Sequence, residues 1–248
     1  MIWQQCRGQR YVGPISGTVI RLVESQEQIA TLGYVDTLEE QAVLESLIDD
    51  SKPPYPAGAA GYHYLLTTPF RYPPLRWGSR FGRVHEPGIF YGGLSLAATL
   101  AESAYYRFVF WHSMQAPPPK AHIRSQHTLF SVPYRTATGV RLQEPPFDAY
   151  RAELAHPVQY QASQQLGTDM REAGVQAFEY FSARDPDGGC CVGLFSLQAL
   201  AQKKPRDLSP WLCETSADTV AFKHAAGREV ARYSLSSFLH QNRLPMPA

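Results

Sequence analysis

Proline restricts this chain more than any other residue. Twenty prolines occur in 248 residues, and they bunch at Pro53-Pro54, Pro73-Pro74, Pro117-Pro118-Pro119 and Pro145-Pro146. A proline lacks the amide hydrogen and fixes φ, so neither a helix interior nor a central strand runs through such a pair. The clusters therefore cut the chain into short intervals and argue against long helices. Within the intervals, hydrophobic periodicity predicts a strand near Thr18–Val23 and helices around Gln26–Leu32 and Leu38–Ile48. A short strand follows at Ile89–Tyr91, then a helix from Leu96 to about Phe110. Further strands are predicted near His127–Tyr134, Val175–Phe181, Cys190–Phe195, Thr219–Lys223 and Val230–Leu235, with a helix over Val158–Ala173 closed by Gly174. Helices and strands interspersed in this way make an α+β fold. Residues 1–56, ending in the Lys52-Pro-Pro-Tyr-Pro linker, read as an N-terminal helical segment. Its helix presents Ala42, Leu44, Leu47 and Ile48, a face expected to pack on the body or on a partner. Residues 57–248 read as the main unit.

The stretch from Gly78 to Glu102 carries the most chemistry. Arg80, Tyr91 and Glu102 follow one another at intervals of eleven residues. Gly78 and Gly82 flank Arg80, and a glycine-flanked turn lets an arginine present its guanidinium fork to a phosphate. Tyr91 ends an apolar run that Gly92-Gly93 breaks. Ser95 then has the form of a helix N-cap. Leu94, Ala98, Ala101, Tyr105 and Phe108 form one stripe of the helix that follows, and Glu102 falls at the edge of that stripe. A half-buried carboxylate needs a partner or a ligand; Arg107 is the nearby base that would pair with it in a purely structural role. Ser182, at a strand end beside the turn Asp185-Pro-Asp-Gly-Gly189, can donate to a phosphate or tie down the turn. Arg71 is a candidate second phosphate ligand.

The remaining signals mostly exclude functions. A net charge of +1 gives no electrostatic case for nucleic-acid binding. No apolar run reaches membrane-spanning length, and Met1-Ile-Trp-Gln-Gln has no signal-peptide core, so a cytoplasmic location is expected. Cys6, Cys190, Cys191 and Cys213 have no metal-ligand spacing; Cys190 and Cys191, adjacent on a strand, point to opposite faces. All four are expected as reduced thiols, and no metal site is expected. His63, His85 and His112 form no recognisable triad. The aromatic cluster Tyr105, Tyr106, Phe108, Phe110 and Trp111 reads as core and partner surface. Neither the dinucleotide-fold glycine fingerprint nor a phosphate-binding P-loop occurs.

Taken together, these blocks resemble the RES domain family, over roughly Tyr62 to Leu197. Gly78-Ser-Arg-Phe-Gly82 is similar to the family's Gly-Gly-Arg block, and Gly88-Ile-Phe-Tyr91 with Ala97, Ala98, Ala101 and Glu102 to its strand-then-helix block. Gly174 to Ser182 with Gly189 to Phe195 is similar to its serine block. Leu38–Leu47 with Ser51-Lys-Pro-Pro also resembles a leader seen in part of the family. Phe81-Gly82 replace the Trp-Asn that commonly follows the arginine, which keeps the apolar packing and loses an amide.

The resemblance implies an ADP-ribosyltransferase-like fold, with mixed or antiparallel sheets flanked by helices around an NAD cleft. It implies an NAD+ phosphorylase or glycohydrolase that releases nicotinamide, with inorganic phosphate as the expected co-substrate and water as the alternative acceptor. NAD+ is then substrate and no cofactor is required. It implies the toxin of a toxin–antitoxin pair, with a helix-turn-helix (Xre-like) antitoxin covering the site; a homodimer or a hetero-oligomer with that antitoxin fits equally. Arg80 would hold a phosphate, Tyr91 would stack on the nicotinamide or ribose, Glu102 would stabilise the sugar cation and Ser182 would donate to a phosphate oxygen. An ADP-ribosyltransferase acting on a protein or small molecule is the alternative. Leu100 stands two residues before Glu102, where transferases often carry an acidic residue to orient the acceptor, and this tilts the reading away from transfer. A non-catalytic NAD-binding module is the third possibility.

Overall fold

The computed structural model describes residues 1–25, 34–72, 74–116, 118 and 120–246. The predicted helix at 26–32 lies outside the described residues. Six α-helices are described: α1 (Ile2–Gln5), α2 (Leu38–Ser51), α3 (Tyr64–Arg71), α4 (Leu96–His112), α5 (Arg151–Leu154) and α6 (Gln161–Glu172). The strands are β1 (Gly13–Glu24), β2 (Phe90–Gly93), β3 (Ile123–Arg141), β4 (Ala177–Phe181), β5 (Cys190–Leu194), β6 (Arg206–Thr215), β7 (Thr219–His224) and β8 (Val230–Ser234). The fold is mixed α+β, and no described helix is long and apolar enough to cross a membrane.

All eight strands join one sheet in the order β1-β2-β5-β4-β3-β6-β7-β8, with β1 also paired to β3. That extra pairing closes β1, β2, β5, β4 and β3 into a ring, from which β6, β7 and β8 extend. Every pairing is antiparallel except β3 with β4. The ring depends on β1, which pairs with β3 at eleven positions from Gly13 to Glu24. The strand predicted near Thr18–Val23 forms as part of β1 and lies within the sheet, because Ile15 and Val19 fill the ring interior beside Phe130, Val132 and Tyr134.

Side-chain alternation sends each strand's residues into different cores. Ala177, Val192 and Leu194 face the ring interior. Their neighbours Phe178, Tyr180 and Cys191 face the opposite side, where Phe81, Phe147, Leu166 and Met170 meet them. A third core forms where α4 lies on the sheet extension, with Leu100, Ala104, Tyr105 and Phe108 against Cys213, Val220 and Phe222. α4 begins as its sequence predicts: the Ser95 hydroxyl accepts from the Ala98 amide. α6 ends as predicted, with Gly174 at φ +76° and the Val175 amide bonded to the Met170 carbonyl. α2 forms where expected, but none of its residues is fully buried, and Leu38, Val43 and Leu47 are exposed.

His127, on β3, is buried beside Ser125, and burial together with the Arg107 charge pulls its pKa down to about 4. The unfolded chain, with an ordinary value near 6.5, takes up that proton first. Stability is therefore lost as the pH falls from 6.5 toward 4, where the folded state also protonates. A His127→Gln variant is expected to flatten this acid limb in urea titrations across that window. A limb identical to the wild type would contradict the buried neutral imidazole.

Candidate active site

The site is assembled from four elements that meet at one end of the ring. Arg80 sits on a turn in which the Ser79 amide bonds the Gly82 carbonyl at 2.7 Å. Phe81 points inward, fully buried, with its ring 4.8 Å from Phe178 and 4.9 Å from Tyr180. That inward anchor turns the neighbouring Arg80 toward the cleft, and Phe81 supplies the apolar packing expected of it. Helix α6 clamps the turn from behind. Gln164 donates to the carbonyls of Trp77 and Ser79, at 3.2 and 3.0 Å. Gly167 lies so close that a Cβ there would stand 1.8 Å from the Phe81 carbonyl oxygen. Arg80 Nη1 donates to the carbonyls of Leu154 and His156, and its guanidinium lies 4.6 Å over the Tyr160 ring. A guanidinium has five donors, so a ligand face remains.

Tyr91 works through its hydroxyl. That oxygen accepts from the Phe81 amide at 3.1 Å and shares a hydrogen bond with Ser79 Oγ at 2.9 Å. Burial pushes its pKa up to about 12, so the phenol stays neutral. β2 is thereby tied to the Arg80 turn, while the Tyr91 ring lines the cleft.

Glu102 meets Ser182. Ser182 Oγ donates to Glu102 Oε1 at 2.5 Å and accepts from the amides of Arg184 and Asp185, at 3.1 and 3.0 Å. A serine hydroxyl has one proton to give. The expected donation from Ser182 to a phosphate is thus replaced by donation to the Glu102 carboxylate, and Ser182 also ties down the turn. The structural alternative for Glu102, a pair with Arg107, does not form. Arg107 pairs with Glu24 at 3.0 Å and with Thr215.

Arg71 is not part of this assembly. Its Nε donates to the Pro53 carbonyl at 2.5 Å, its guanidinium lies 4.0 Å over Tyr55, and Asp49 stands 3.6 Å away. It fastens the proline linker, which corrects its expected role as a phosphate ligand. His63, His85 and His112 line neither cavity described below. Cys191 is buried in the wall of the cleft, where burial pushes its thiol pKa up. All four cysteines are free thiols.

The sequence reading missed two cations. Arg184 is buried, stacked 3.6 Å over Tyr105, and donates to the Pro157 carbonyl and the Tyr160 hydroxyl. Arg21, on β1, lies 4.5 Å over Phe90, and burial lowers its pKa to about 10. Its Nη1 is buried without a hydrogen-bond partner. The available signal was a single cation inside the apolar run Val19–Val23.

These residues line a cleft of about 280 Å³ that holds Arg21, Arg80, Arg184, Tyr91 and Glu102. A second cavity of about 370 Å³ adjoins it and shares Arg21, Ser79, Tyr91, Tyr106 and Tyr160 with it. Three guanidiniums face one carboxylate in the first cleft, so it favours an anion. Leu100, two residues before Glu102, is 3% exposed and packed in the core beneath α4.

A family model described as the RES domain matches residues 53–216. No curated protein matches this chain. The crystal structure of the M. tuberculosis MbcT-MbcA toxin-antitoxin complex is similar at 11% sequence identity and a TM-score of 0.47, covering 94% of this chain and 92% of that one.

Removal of the Tyr91 hydroxyl tests the tie between β2 and the arginine turn. Tyr91→Phe leaves the Phe81 amide unpaired, which costs about 1–3 kcal/mol. A drop of about 2–4 °C in the thermal midpoint is expected for each kcal/mol lost. An unchanged midpoint in calorimetry would show that the bond contributes nothing.

Proposed function

The chain belongs to the RES domain family, and from that premise and the geometry of the cleft we propose that it cleaves the nicotinamide–ribose bond of NAD+. The observation that carries this reading is the Glu102–Ser182 pair facing Arg21, Arg80 and Arg184 across one cleft. A carboxylate opposite a cluster of guanidiniums suits a substrate that is anionic at its pyrophosphate and becomes cationic at its sugar.

Nicotinamide in NAD+ is a pyridinium. It leaves with the electron pair of the C1–N bond and becomes a neutral pyridine, so the leaving group needs no proton. The positive charge moves to the ribose, as in glycoside hydrolysis. The Glu102 carboxylate, held in orientation by Ser182, opposes that charge. Arg21 and Arg80 bind phosphate oxygens. Tyr91 shields the reacting carbon from solvent. Inorganic phosphate then donates an oxygen to the ribose carbon, giving ADP-ribose-1″-phosphate. With water as acceptor, the product is ADP-ribose and a proton is released. The surplus of guanidiniums favours phosphate. The burial of Leu100 speaks against a protein or small-molecule acceptor oriented from that position.

As part of the same reading the protein is the toxin of a toxin–antitoxin pair, as the family resemblance implies. Tyr106 and Phe110 are exposed on α4, and Tyr106 lines the cleft. An antitoxin seated there would cover both the apolar surface and the site entrance.

Purified protein incubated with NAD+, with and without inorganic phosphate, tests the activity directly. Phosphate-dependent nicotinamide release with ADP-ribose-1″-phosphate formed is the expected result. Phosphate-independent ADP-ribose would make the enzyme a glycohydrolase, and no turnover by antitoxin-free protein would sink the reading. Glu102→Gln should lower the rate ~100-fold or more, about 3 kcal/mol of transition-state stabilisation, at an unchanged thermal midpoint. Arg21→Gln should raise the KM for NAD+ about tenfold or more, because a charge-assisted hydrogen bond to phosphate is lost.

A further inference from the structure

The second cavity adjoins the first cleft. Glu102, which lines the first cleft, does not line the second cavity. Its walls are Tyr64, Tyr72, Leu75, Trp77 and Ile89, and Arg21 is the only cation among its lining residues. Tyr64, Tyr72 and Leu75 are 46%, 40% and 58% exposed. Three large apolar side chains are thus open to solvent around one concave surface, immediately beside a polar, cationic cleft. Exposed apolar surface gathered in this way marks a binding site more often than chance exposure.

We propose that this cavity holds the adenosine half of the dinucleotide, an inference that rests on the NAD+ reading above. The reacting ribose must lie beside the Glu102 carboxylate, and that places the nicotinamide half in the first cleft. The two cavities meet at Arg21, Ser79, Tyr91, Tyr106 and Tyr160. A ligand that crosses from one to the other passes the Arg21 side chain, a cation beside which a pyrophosphate would sit. The half left over is a purine nucleoside, and the aromatic cavity matches it in chemistry. Aromatic faces stack on any base, whatever its edge. Its polar groups include tyrosine hydroxyls, the Glu24 carboxylate, already paired with Arg107 at 3.0 Å, and the Thr68 hydroxyl, which donates to the Tyr64 carbonyl at 2.7 Å. The aromatic walls therefore hold a purine chiefly by its face.

The test compares NAD+ with nicotinamide mononucleotide, which keeps the scissile bond and lacks the adenosine half. Tyr72→Ala, which removes an aromatic stacking contact, and Leu75→Ala, which removes apolar contact with the base, should each raise the KM for NAD+ about tenfold with kcat retained. Turnover of the mononucleotide by the same variants should match the wild type, which also shows that they fold. A NAD+ KM unchanged in both variants, or an equal loss with both substrates, would overturn the proposal. AMP binding by calorimetry requires no turnover and separates the two readings. Tenfold weaker AMP binding in the variants supports the adenosine site even if NAD+ is not cleaved, in which case the proposed activity fails alone. Absent or unweakened AMP binding in an enzyme that does cleave NAD+ overturns the adenosine site alone.

Discussion

A helix can approach a backbone turn to van der Waals contact only where it carries no side chain. Here α6 does so at Gly167, against the carbonyl of Phe81. The rest of the site depends on that approach. With α6 in place, Gln164 caps two carbonyls of the turn and Phe81 is driven into the core beside Phe178 and Tyr180. Arg80, adjacent to Phe81, is left facing the cleft. The Tyr91 hydroxyl then locks the same turn to β2. A mobile arginine side chain is thereby held against two carbonyls and an aromatic ring before any ligand arrives, and such preorganisation is what makes electrostatic stabilisation effective.

The opposite wall follows a different logic. Glu102 stands on a helix whose buried stripe is filled by Ala98, Ala101, Tyr105 and Phe108. Packing of that stripe fixes the rotation of α4 and so the direction of the carboxylate. Ser182 meets it from the end of β4, where its hydroxyl also accepts two amides of the following turn. One oxygen therefore couples the turn, the strand end and the carboxylate. Damage to the Asp185–Gly189 turn would be felt at Glu102.

Much of this was legible in the residues. Ser95 as a cap, Gly174 as a helix stop and the alternation along Ala177–Phe181 and Cys190–Leu194 are local signals, because each depends on hydrogen bonds or faces within a few residues. The candidates Arg80, Tyr91, Glu102 and Ser182 could be named because each stood in a distinctive local context, and the structure brings all four together. Arg71 stood in no such context, and the structure gives it to the proline linker. β6 was not anticipated, since its exposed Arg206, Asp207 and Leu208 obscure the period.

By itself the sequence determined where most of the helices and strands lie, which faces are apolar and which turn carries the arginine. These are properties of short segments, set by propensity, capping and periodicity. Only the tertiary structure decided the partners across long separations. β1 closes the ring with β3 more than a hundred residues away, and so delivers Arg21 to the cleft. Ser182 reaches Glu102 across 80 residues and gives it the one proton that a phosphate was expected to receive. No local pattern encodes such meetings, because they arise from the shared burial of faces that the chain writes far apart.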